Sequence, residues 1–141
     1  MDFKQMMQTD QVIIKLSVSS VLAAQAFYTE ILGFTVDQGY TINAGGDYGM
    51  ESYVQLQHEG LKGVVALGLF KDIEQPMAPQ ETGTAATFIV KDIVSTRDFL
   101  IAQGVEVGGI IENTSDHGLI DHFAFFADPD NNTLVIRQNM N

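Results

Sequence analysis

The stretch from Val18 to Phe34, VSSVLAAQAFYTEILGF, carries the reading that decides the fold. Ser20 can accept from the free amides of a first helical turn, and Val21, Ala24, Tyr28 and Ile31, flanked by Phe27 and Leu32, form one apolar stripe at helical spacing. Gly33 closes the helix because glycine enters the left-handed conformation that commonly ends one. Upstream, Val12, Ile14, Leu16 and Val18 alternate with Ile13, Lys15, Ser17 and Ser19, the period of a strand. The pattern then returns: Val90 and Phe99 follow Val18 and Phe27 at one constant interval, and Gly104 answers Gly33 after a slip of one residue.

Between and after these helices, residues 34–36, 53–58 and 64–70 read as strands of the first half, separated by Gly- and Asp-rich turns. Residues 71–84 hold Pro76 and Pro79 with little apolar periodicity and read as a connecting segment. A strand carrying Ala86, Phe88 and Val90 leads into a helix capped by Asp92, carrying Ile93, Phe99 and Leu100 and stopped by Gly104. Residues 105–111, 122–127 and 133–138 supply three further strands. Each half is thus a β-α-β-β-β unit, spanning 12–70 and 85–138. Neither unit can bury both its helix stripe and its sheet alone. The expected fold is α+β: one domain over 1–141 in which two tandem modules pair into curved mixed sheets around a pocket.

Eighteen acids against seven bases give a net charge of −11, and the seven bases are scattered singly. Phosphate backbones need clustered Lys and Arg, so nucleic acid is excluded as a partner. Without cysteine, disulfides and cysteine-ligated metals are excluded as well. No apolar run approaches the roughly 20 residues of a membrane span, and the polar start offers no secretory signal, so no membrane partner and a cytoplasmic address are expected.

With these elements in place, the chain resembles the glyoxalase/bleomycin-resistance/extradiol-dioxygenase superfamily, the vicinal oxygen chelate fold. Phe27-Tyr28 and Ile31-Leu32-Gly33-Phe34 match that family's FY…LGF helix, and Asp128-Pro129-Asp130-Asn131-Asn132 matches its DPDGN turn. Asn131 stands where the family usually has Gly and can imitate it in the left-handed region. The alternation of Asp128, Asp130 and Asn132 imitates a calcium loop, but Pro129 intrudes and the distal Glu is missing. In metal-dependent members, the resemblance implies four inward ligands, two per half. Those positions fall here on Ile13, Ala66, Ala85 and Val135, none of which offers a donor. No metal and no cofactor are therefore expected.

The same parity places Lys15 and Ser17 beside Ile13, Tyr53, Gln55 and Gln57 inward on the third strand, Thr87 on the face of Ala85, and Arg137 on the face of Val135. Apolar walls with sparse polar points suit a small-molecule site. The ligand-binding set expected from sequence is Ile13, Lys15, Ser17, Tyr53, Gln55, Ala66, Ala85, Thr87, Val135 and Arg137, with no catalytic residue assigned. His58 sits at an expected hairpin, and His117 and His122 lie with Asp116 and Asp121 in the chain's one His/carboxylate grouping, which reads as a polar loop. The expected function is binding of a small organic ligand without a metal, in the manner of the bleomycin-resistance-type proteins, by a homodimer. Two alternatives stand beside it: an enzyme of the same fold working through Lys15, Arg137 or a His, and a domain with no ligand. The acidity favours a ligand with a cationic portion, whereas Lys15 and Arg137 favour an anion.

Overall fold

A computed structural model describes residues 2–42, 48–80, 83 and 85–141. The chain divides into two compact units, Met1–Glu74 and Gln75–Asn141. The first opens with a short helix α1 (Phe3–Met6), absent from the sequence reading, whose N-terminus Asp2 and Gln5 close by a reciprocal capping box. Strand β1 (Val12–Val18) leads to helix α2 (Val21–Ala26), followed by a wide π-type turn over Phe27–Ile31. Strands β2 (Thr35–Ile42), β3 (Tyr53–Gln57) and β4 (Val65–Lys71) complete a sheet of order β1-β4-β3-β2, in which β1 and β4 run parallel and the other pairs antiparallel.

Of the expected apolar stripe, Val21, Ala24, Phe27 and Tyr28 lie in the core, whereas Ile31 and Leu32 at its end are only half-buried. The stripe packs on β3 and β4, against the side of the sheet that carries Leu16, Val18, Val54, Leu56, Leu67 and Leu69. Ser20 accepts from the Ala23 amide at 3.2 Å, and Gly33 takes a φ of +78°.

The second unit repeats the plan. Strand β5 (Ala86–Ile89), helix α3 (Ile93–Ala102), and strands β6 (Ile111–Thr114), β7 (Ile120–Ala127) and β8 (Thr133–Asn139) form a sheet of order β5-β8-β7-β6, with β5 and β8 parallel. Asp92 caps α3 through the Ser95 amide at 3.1 Å, and Gly104 takes a φ of +86°. Ile93 and Leu100, seven apart, share the buried face of α3, while Phe99 points away and is 48% exposed, a correction to its expected place in the stripe.

Two strand readings are corrected. Residues 105–111 do not form a strand: only Val107 makes an isolated bridge, to Phe126, and β6 starts at Ile111. The Gly108-Gly109 pair interrupts the run, and Arg97 captures the carbonyls of Val107 and Gly108 at 3.2 and 2.8 Å. In the first unit, β2 continues well past Val36 to Ile42, with an irregularity between Asp37 and Ile42. The DPD turn is held by its own side chains. Asp128 Oδ1 accepts from the Asp130 and Asn132 amides, both at 2.9 Å, and Asn131 adopts the left-handed φ of +65° expected of it. The segment after Glu74 is pinned to this turn, since the Met77 amide donates to the Asp130 carbonyl and Thr133 donates to that of Gln80.

Candidate functional site

Strand register fixes which side chains share a face. In the first sheet, Ile13 pairs with Ala66, Lys15 with Gly68, Ser17 with Phe70, Tyr53 with Phe70, and Gln55 with both Gly68 and Asp37. These residues lie on the side turned away from α2, because their neighbours Leu16, Leu67, Val54 and Leu56 supply the core beneath the helix. One row therefore crosses all four strands: Lys15, Gly68, Gln55, Asp37.

At the β1 end of the row, Lys15 Nζ lies 2.5 Å from Asp72 Oδ2 and 5.1 Å from the centroid of the Phe70 ring. Ser17 donates to the same Asp72 oxygen at 3.3 Å. Burial pulls the Asp72 carboxyl upward, but the hydrogen bonds from Lys15 and Ser17 and the lysine's charge outweigh it and hold the group below its ordinary 3.8. At the other end, the Tyr53 hydroxyl donates to Gln55 Oε1 at 2.9 Å, and Gln55 Nε2 donates to Asp37 Oδ2 at 3.4 Å. Burial and then the Asp37 charge push the Tyr53 phenol above its ordinary 10.0. Both displacements move away from neutrality. At pH 7 Asp72 is therefore an anion and Tyr53 a neutral hydroxyl.

Gly68 explains how Tyr53 reaches this position. A Cβ at residue 68 would stand 2.6 Å from Tyr53 Cε1 and 2.7 Å from its hydroxyl oxygen, so the tyrosine ring occupies the space a side chain would take. Asp37, Gly68, Phe70 and Asp72 were all outside the set expected from sequence. Continuing the alternation of β2 past Thr35 would have found Asp37; the position of Asp72 just beyond the last residue of β4 carried no such signal.

In the second unit, Thr87 pairs with Val135, and Val135 with Phe125; Ile89 pairs with Arg137, and Arg137 with Phe123. Phe123 and Phe125 meet edge to face at 5.5 Å between centroids. Arg137 donates from Nε to Asn139 at 2.8 Å and approaches Asp121 at 3.6 Å, so its charge is already matched. Ala85 lies just before β5.

Two of the three histidines make structural contacts. His58 Nε2 lies 2.9 Å from the Leu32 carbonyl, its Nδ1 accepts from the Gly60 amide, and its ring packs against Phe34, which ties the end of the helix turn to β3. His122 pairs across strands with Glu112 at 2.9 Å rather than with Asp116 or Asp121. His117 is exposed in the turn before Gly118.

The four positions where relatives are expected to hold a metal do not fit one. Ile13 and Ala66 face each other across β1 and β4, Val135 lies on β8 and Ala85 precedes β5; none of these side chains has an electron-pair donor. Among the described residues, no three His, Asp or Glu side chains come together as a possible metal site. Nor, among them, is any helix long and apolar enough to cross a membrane.

The model of the Glyoxalase/Bleomycin resistance protein/Dioxygenase superfamily matches residues 10–136. Comparison with curated proteins gives no match. Among solved structures, the chain is similar to a glyoxalase/bleomycin resistance protein/dioxygenase from Alicyclobacillus acidocaldarius, with 11% identity, a TM-score of 0.69 and 96% of each chain covered. It is similar to a virulence protein from Salmonella typhimurium at 24% identity and a TM-score of 0.64, over 95% of this chain and 100% of that one. It is also similar to TnmS3, an antibiotic binding protein from Streptomyces sp. CB03234, at 24% identity and a TM-score of 0.61, over 94% and 98%.

Proposed function

This chain belongs to the glyoxalase/bleomycin resistance protein/dioxygenase superfamily, and from that premise we propose that it binds a small organic molecule without a metal and acts by sequestering it. The supporting observation is the face of the first sheet turned away from α2. Carbon side chains, Ile13 and Ala66, stand at two of the expected ligand positions, and a few polar groups beside them are held in fixed geometry by one another. Apolar surface with sparse, oriented donors and acceptors favours capture of an organic molecule, at roughly 25 cal/mol per Å² of apolar area buried. The likeness in fold to an antibiotic binding protein agrees with this reading. Lys15 supports this reading as a polar point held beside the apolar positions by its ion pair with Asp72. The proposal includes a cytoplasmic homodimer, since an isologous contact is the commonest way to cover a sheet edge such as that of β1 or β5.

The test is an amide NMR screen of the full chain against a library of small aromatic and alicyclic compounds. Binders are expected to shift the resonances of β1, β3 and β4 around Lys15, Gln55 and Gly68. A library with no binders, or with shifts confined to other elements, contradicts the proposal.

A further inference from the structure

Two carboxylates stand on the same face of the first sheet, and their surroundings differ. Asp72 is matched by Lys15 and receives Ser17 as well. Asp37 makes no ion pair among the described residues: Oδ1 accepts from the Gly39 amide at 3.1 Å and Oδ2 from the Gln55 side chain at 3.4 Å, both neutral donors. The other lysines of this unit are placed elsewhere. Lys4 lies in α1, Lys62 ends the short turn at Glu59–Leu61, and Lys71 donates to the carbonyls of Ser19 and Ile73. Asp37 is thus a half-buried carboxylate held by the Gln55 amide, at the end of a row in which Gly68, one strand beyond Gln55, is covered by the Tyr53 ring.

Resting on the reading that this face takes the ligand, we propose that the ligand is an organic cation, a protonated amine or quaternary ammonium on a flat apolar body, with Asp37 as its counter-ion and the Tyr53 ring beside it. A carboxylate near a cation strengthens as water is excluded, and an aromatic ring adds attraction for the same charge. An anionic ligand meets the opposite conditions. At Lys15 it meets an ammonium whose charge Asp72 already offsets at 2.5 Å, while Asp37 repels it from the far end of the row. The net charge of −11 attracts cations at long range, which speeds encounter without choosing the seat.

Three probes of one shape separate the possibilities: naphthylmethylammonium, naphthylmethanol and naphthoate, titrated by calorimetry into the full chain and into Asp37→Asn, Tyr53→Ala and Lys15→Ala. The ammonium is expected to bind about tenfold tighter than the alcohol, and Asp37→Asn to erase that advantage while leaving the alcohol unchanged. Salt gives a second reading that needs no variant: between about 0.01 M and 0.5 M it should weaken the ammonium and spare the alcohol. Equal binding of ammonium and alcohol, both lost in Tyr53→Ala, overturns the cationic ligand and leaves the sheet face as a binding site. Tightest binding by naphthoate, lost in Lys15→Ala, overturns it in favour of an anion. Binding of none of the three overturns both readings.

Discussion

A methyl group on Gly68 would have to share space with the Tyr53 ring, 2.6 Å from Cε1 and 2.7 Å from the hydroxyl oxygen. Because the ring is the far end of a side chain that can swing, Gly68→Ala is expected to expel it, break its hydrogen bond to Gln55, and cost about 1–3 kcal/mol. Expulsion also relieves the burial that raises the phenol, so the Tyr53 titration should fall back toward 10.0. In a Tyr53→Ala background the same glycine change should be neutral or stabilising, since glycine inside a strand is otherwise a cost. Denaturant midpoints of the four proteins and an ultraviolet titration of tyrosinate check both statements. Equal losses in the two backgrounds would show that Tyr53 and Gly68 do not compete for space. Sequence alone could not reveal this pair, because it depends on which residue of β3 faces which residue of β4 and on a ring lying over its neighbour's backbone.

Local chemistry made the helix ends and turns the most legible elements. Ser20, Asp92, Gly33, Gly104 and Asn131 all adopt the capping or left-handed roles their residue types imply. What was lost depended on distant partners. Residues 105–111 read as a strand, yet Arg97 takes the carbonyls of Val107 and Gly108; β2 runs on to Ile42, which pairs with Tyr53 beyond the irregularity after Asp37. The two kinds of stop differ in weight. Ser20→Ala removes one exposed cap and should cost about 1 kcal/mol. Asp128→Ala removes a buried carboxylate that accepts from two backbone amides and the Asn132 side chain, and should cost at least about 2 kcal/mol. Urea unfolding at unchanged slope checks the order, and equal losses would mean that the DPD turn is not a structural device.

At the scale of the whole chain, the duplicated β-α-β-β-β plan was readable because each half repeats the same strand, cap, helix and glycine stop, and the family match over residues 10–136 agrees with it. The chemistry was readable only in part. The carbon side chains at Ile13, Ala66, Ala85 and Val135 are plain in the sequence, whereas the pairing of Lys15 with Asp72, and an Asp37 with no ion pair among the described residues, emerge only once four strands are in register. Metal-free binding of an organic molecule is tested most directly by native mass spectrometry of the full chain, dialysed first against zinc, nickel and manganese together and then exposed to the compounds found by the NMR screen. Expected are organic adducts at about one per chain with no metal ion retained. A spectrum in which each chain keeps about one divalent metal, with no organic adduct unless that metal is present, would contradict it.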